Sequence, residues 1–218
     1  MVDEALLSEW SRLRGEAHLP LEQTQMLYPL TTHEQRAIDA LVTFGCRVGS
    51  FDLHVSSGYH EKGAKERGLI RRLAIRPTAI DEVVIQGTHL SVATPFAKEP
   101  NDPFKGGKDW RPIDLNMLEP TAIPRTAYVR NCEAEQFVAA QDKWGGQPYT
   151  TYYRLAWRRR IDPKAMERSL YAAIIPPGPT YVHAVHSLAL ASNLQTALNA
   201  GFWASLPLDY QEGYSRGS

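Results

Sequence analysis

Arginine and lysine concentrate in two short stretches of the chain. Residues 60–76 hold Lys62, Lys65, Arg67, Arg71, Arg72 and Arg76 against Glu61 and Glu66. Residues 151–168 hold Arg154, Arg158, Arg159, Arg160, Lys164 and Arg168 against Asp162 and Glu167, with Tyr152, Tyr153 and Trp157 interleaved. A planar guanidinium bonds two acceptors at once, so such a stretch suits phosphates and guanine edges. The competing explanation is a solvated strand face whose cations pair with acids elsewhere in the chain.

Other groupings fall short of a chemistry. Gly106-Gly107-Lys108 is followed by Asp109, where a phosphate-cradling P-loop needs Ser or Thr, and no glycine stands five positions before Gly107. Gly45 and Gly49 do not make a dinucleotide fingerprint. His183 and His186 would share a face only on a helix, and two histidines without a third ligand do not make a metal site. Ser57, His60 and Glu61 are close in sequence, but a nucleophile–base system is defined by geometry rather than adjacency. No complete catalytic constellation emerges, and no cofactor is expected in this chain.

The elements that must position these residues follow from periodicity. Asp3 caps a helix with Leu6, Leu7, Trp10 and Leu13 on one stripe. Thr32 and Gln35 have capping-box spacing ahead of Ala37, Ile38, Leu41 and Val42. Residues 51–58 alternate as a half-buried strand, and Val83-Val84-Ile85 is a short buried one. The Pro- and Gly-rich stretch 95–124 reads as a long loop. In Tyr149–Ile161 one parity carries Tyr153, Leu155, Trp157 and Ile161. The other carries Tyr152, Arg154, Ala156, Arg158 and Arg160, which predicts a strand with an outward arginine row. Asp162 to Ala165 reads as a turn, and Ser169 to Ile175 as a strand stopped by Pro176-Pro177-Gly178. Residues 183–206 read as helical, with Leu188, Leu194, Leu198 and Phe202 as apolar positions.

These elements predict an α+β fold with a central antiparallel sheet, a basic-faced strand pair and a helical N-terminal extension. The expected divisions are a helical segment at 1–48, an α+β domain at 49–210 and a frayed tail at 211–218. The 218 residues are enough to bury a sizeable core. Twenty-four cations balance 24 acids, but the balance is a cancellation: residues 1–40 are acidic by four, and each basic stretch carries four excess positive charges. Two cysteines 86 positions apart, Cys46 and Cys132, do not suggest a disulfide framework. The acidic N-terminus lacks a signal-peptide layout and no apolar run reaches membrane-spanning length, so a cytoplasmic protein is expected.

Several stretches resemble one family. Ser56-Ser57-Gly58-Tyr59-His60-Glu61-Lys62-Gly63-Ala64, Gly68-Leu69-Ile70-Arg71-Arg72 and Pro124-Arg125-Thr126-Ala127-Tyr128-Val129 are similar to segments of large adenine-specific DNA methyltransferases. These are the type IIG restriction–modification enzymes and related phage-defence methylases. The likeness is strongest at Tyr152-Tyr153-Arg154-Leu155-Ala156-Trp157-Arg158-Arg159 and from Arg168 through Ile174-Ile175-Pro176-Pro177-Gly178, and it spans roughly residues 51–190. In that family the region follows the methyltransferase core and is its DNA target-recognition part. The family's catalytic Asn/Asp-Pro-Pro-aromatic tetrad is not matched, because Ile175 precedes the only Pro-Pro pair and Gly178 follows it. The cofactor-binding glycine motif is also unmatched.

The resemblance therefore implies a recognition fragment without activity of its own. Its partners would be double-stranded DNA and the methyltransferase core of the parent chain, which would hold S-adenosylmethionine. Lys62, Lys65, Arg71, Arg72, Arg154, Arg158, Arg159 and Arg160 are the expected DNA contacts, with polar groups of the 95–124 loop as candidates for base edges. The alternative is a protein-interaction module, docking the arginine row on the methyltransferase core or a helicase-like partner.

Overall fold

The computed structural model describes residues 2–27, 31–43, 48–160, 170–206 and 208. The chain divides into two compact units, one comprising 1–51 and 213–218 and the other 52–212. In the first, helix α1 (Glu4–Arg14) starts at Asp3, whose carboxylate accepts the Leu6 N–H at 2.9 Å. It buries Trp10. Helix α2 (Thr32–Thr43) opens with a reciprocal capping box one residue earlier than the spacing predicted. Thr31 Oγ1 accepts from Glu34 N at 3.2 Å, and Glu34 Oε2 accepts from Thr31 N at 2.9 Å. Glutamate at the third helical position makes the stronger acceptor, so Thr31/Glu34 displaces Thr32/Gln35.

The second unit is built on a four-stranded antiparallel sheet in the order β1-β12-β9-β10, consistent with an α+β fold. Its strands are β1 (His54–Ser56), β9 (Arg154–Arg158), β10 (Ala172–Ile175) and β12 (Val185–Ala189). Smaller pairs surround it. β2 (Ile70–Ile75) runs antiparallel to β6 (Thr126–Arg130), and β3 (Val84–Ile85) runs parallel to β11 (Thr180–Tyr181). β4 (Lys98–Pro100) and β5 (Trp110–Pro112) form one hairpin, β7 (Lys143–Trp144) and β8 (Gln147–Pro148) another. Helices α3 (Glu61–Glu66), α4 (Ala134–Ala139) and α5 (Asn193–Trp203) complete the unit. Two neighbouring cores form, one around Ile85, Tyr149, Ala156, Ile175 and Tyr181, the other around Tyr59, Leu69, Tyr128 and Phe137.

β9 corrects the expected arginine row. Its neighbours place Arg154 opposite Ile175, Ala156 opposite Ala173, and Arg158 opposite Val185. Residues directly opposite in a ladder share a face, and all three partners belong to the core. The Arg154–Ala156–Arg158 parity thus points inward. The other face is covered as well, because α5 lies across β9 and β10, with Trp203 and Trp157 ring centroids 4.9 Å apart. Arg154 has 0% exposure. Its guanidinium donates to the carbonyls of Tyr152, Pro176 and Pro179 at 3.1, 3.0 and 2.8 Å. Tyr149 and Tyr181 flank it with ring centroids at 5.1 and 5.9 Å. The two Pro carbonyls, Pro176 and Pro179, bracket Pro177-Gly178, so the segment from Pro176 to Pro179 is an arginine clamp. At Gly178 φ is 108°, and a Cβ would press on Ile80 Cγ2 at 3.2 Å.

Two further expectations change. Residues 185–189 are strand rather than helix, and α5 begins only after Ser192, whose Oγ accepts from Gln195 N at 3.2 Å. On α5 the buried positions are Thr196 and Asn199, while Leu194, Leu198 and Phe202 face outward at 69%, 67% and 42% exposure. The 95–124 stretch is tied down rather than free, through the side chain of Glu99. That carboxylate receives Arg76 Nη2 at 2.9 Å, Arg111 Nη2 at 2.6 Å and the Arg125 N–H at 3.0 Å. Burial opposes its charge, but these donors outweigh burial and hold the carboxyl below its ordinary range. The predicted turn at 162–165 and the start of the predicted strand at Ser169 lie outside the described residues. β10 begins at Ala172 and ends at Ile175, immediately before the prolines.

Candidate nucleic-acid interface

A backbone arrangement of local origin brings the basic stretches together. Gly58 has φ 64°, and a Cβ there would run into Tyr181, so only glycine lets this segment lie against the strand. Tyr59 N then donates to Tyr181 O at 2.9 Å and His183 N to Tyr59 O at 2.8 Å, an isolated parallel bridge between Tyr59 and Val182. This pairing fixes His60 beside His183 and starts α3 next to the end of β9. On the other side, Arg159 N donates to Ala184 O at 3.0 Å.

The result is a cleft of about 870 Å³ with walls from four segments. α3 supplies Lys62 and Lys65, residues 158–160 supply three arginines, the Gln86–Thr88 turn forms part of the wall, and His183 and Ala184 close it. Five cationic side chains line it against two carboxylates, Glu61 and Glu66. The turn is anchored from behind by His89, which is wholly buried. His89 Nδ1 accepts the Gln86 N–H at 2.9 Å and Nε2 lies 3.0 Å from Arg125 O, so the proton sits on Nε2. Burial pushes the His89 imidazole down to about 4, and it is neutral at physiological pH.

The cations differ in how far they are committed. Lys65 pairs with Glu61 at 2.6 Å and lies 5.0 Å from the Tyr128 ring centroid. Its hydrogen bond to Glu61 raises the ammonium above its ordinary value. Glu61 is opposed by burial, but hydrogen bonds from Lys65 and the Tyr128 hydroxyl prevail and lower it. Lys62 meets Glu66 at 3.9 Å with both side chains well exposed, a pair of little energetic weight. Arg158 is half-buried, with its guanidinium 4.2 Å from the Tyr171 ring centroid and a bond to Leu90 O. Arg159 and Arg160 are exposed.

Of the eight expected contacts, Lys62, Lys65, Arg158, Arg159 and Arg160 meet in this cleft. Arg71 and Arg72 stand exposed on β2 and are not among the cleft-lining residues; Arg72 lies over Phe104 with 5.2 Å to the ring centroid. Arg154 is inside the protein and is withdrawn as a contact. Arg67 and Arg76 of the same basic stretch are used structurally, on Gly63 O at 3.3 Å and on Glu99. His60, His183 and the 86–88 turn join the cleft without having been expected there. The bridge that brings them in leaves no periodic trace in a single sequence.

No helix among the described residues is long and apolar enough to cross a membrane. Compared with known proteins, the chain matches no family model and no curated protein.

Proposed function

We propose that residues 52–206 form a DNA-recognition module of the kind that follows the core of adenine-specific DNA methyltransferases, with no methyl transfer by this chain. The carrying observation is the cleft, where cations from two separate basic stretches converge beside exposed Arg159 and Arg160. Such convergence suits a polyanion, and the resemblance at 51–190 makes double-stranded DNA the favoured one. S-adenosylmethionine carries a sulfonium cation, which these cationic walls do not suit; on the resemblance, the cofactor and the base flipping would belong to the core of a parent enzyme.

The test is fluorescence anisotropy with a labelled duplex at rising salt. The logarithm of the affinity should fall linearly with the logarithm of salt, with about 0.9 in slope for each phosphate contact. Lys62→Ala, Arg159→Ala and Arg160→Ala should each lower the slope by roughly that amount. A salt-independent affinity, or a triple variant that binds like the parent, would overturn the reading.

A further inference from the structure

We propose that the imidazoles of His60 and His183, with Arg159 beside them, form a phosphate-binding subsite in this cleft, an assignment that rests on reading the cleft as a polyanion site. The two rings lie 5.5 Å apart between centroids, inclined at 58°, and both line the cleft. Each is placed by backbone rather than by chance. His60 is the N-cap of α3 and accepts the Gly63 N–H through Nδ1 at 3.3 Å, which leaves Nε2 outside the cap. His183 is held by its N–H on Tyr59 O. Arg159 Nη1 lies 2.7 Å from His183 Nε2 and 3.2 Å from Nδ1, so that ring is an acceptor towards a cation.

The charges around the pair are lopsided. α3 presents Glu61, Lys62, Lys65 and Glu66; the end of β9 presents Arg158, and the residues after it Arg159 and Arg160; β12 adds His186, 6.2 Å from His183 between ring centroids. Glu61 is occupied by Lys65 and Tyr128, and Glu66 faces Lys62. Among the described residues no carboxylate forms an ion pair with either imidazole. Desolvation first, then Arg159 and His60, lower the His183 imidazole. Desolvation first, then Arg159 and His183, lower His186. Protonation of His183 is therefore opposed by the groups around it. A phosphate between His60, His183 and Arg159 reverses that balance, supplying the missing negative charge and accepting hydrogen bonds from both rings. His60 donates from Nε2 without taking up a proton, so by linkage phosphate binding draws a proton onto His183, and a falling pH strengthens binding. His186 belongs to the surroundings rather than the subsite, since its ring packs edge-on to Trp157 and does not line the cleft.

The experiment repeats the duplex titration at pH 8.0 and pH 5.5 with the parent chain and with a His60→Asn/His183→Gln double variant. Asparagine keeps the helix cap. The parent's salt slope should steepen by about 0.9 or more in acid, one additional phosphate contact, while the variant's slope stays the same at both pH values. A parent slope indifferent to pH, or a variant that keeps the steepening, overturns the subsite. Should the duplex fail to bind at either pH, the DNA reading falls on its own account. The subsite is then decided by imidazole NMR titration with and without inorganic phosphate. A rise in the His183 midpoint on adding phosphate upholds it, and an unmoved midpoint overturns it.

Discussion

Among the described residues no carboxylate pairs with the guanidinium of Arg154; three carbonyl oxygens and two tyrosine rings hold it. Burial lowers its proton affinity, though not enough to take an arginine out of its charged form. Its planar fork is what reaches three acceptors at once, so Arg154→Lys should fail to replace it. Arg154→Met leaves the Tyr152, Pro176 and Pro179 carbonyls without this donor, at roughly 1–3 kcal/mol for each left unsatisfied. Both variants should unfold at clearly lower urea, the Met form by about 3 kcal/mol or more, while whatever remains folded keeps the parent's salt slope with duplex DNA. A slope reduced in a fully folded Arg154 variant would return this residue to the surface. The strand around it was legible from period-two alternation, and its face was not. Both faces of β9 are covered, and an arginine between two tyrosines obeys the same alternation as one in water.

At the scale of elements, the Gln86–Thr88 turn depends on His89 staying neutral. Its folded-state value of about 4 lies below the ordinary 6.5, so between those values the unfolded chain binds the extra proton. Stability contributed by neutral His89 is full above about pH 6.5 and is lost as pH falls towards 4, a total of about 3 kcal/mol. Urea midpoints across pH 4–8 should show that decline. His89→Gln should be less stable at pH 8 but lack the His89 share of the acid decline, and a parent midpoint flat from pH 6.5 to 4.5 would contradict the assignment. Elements with local signatures were legible: α1 with its Asp3 cap, the stop of β10 at the prolines, and the two basic stretches. Those made by distant partners were not. The Tyr59–Val182 bridge and the parallel pair β3–β11 join segments about a hundred residues apart, and neither leaves a spacing to read. The apolar positions Leu188, Leu194, Leu198 and Phe202 suit one helix over 183–206, whereas Leu188 lies on β12 and Ser192 marks where the helix starts.

For the whole molecule, the equality of 24 cations and 24 acids says little about its surface. Arg154 is interior, Arg76 and Arg111 are bound to Glu99, and Lys62, Lys65, Arg159 and Arg160 are exposed cations that share one cleft. The α5 helix has an opposite character. From Ser187 to Leu208 the sequence carries no charged residue, and Leu194, Leu198 and Phe202 stand outward on successive turns. Their consequence is colloidal. Apolar surface on a helix whose own sequence holds no charge gives molecules in solution a mutual attraction, one that sulfate strengthens and that net neutrality does not counter. Static light scattering should return a negative second osmotic virial coefficient, moved towards zero or above by Leu198→Lys. Because that side chain is already in water, the melting midpoint should hold to within about 0.5 kcal/mol of equivalent stability. An unchanged coefficient in the variant would place the attraction elsewhere on the surface.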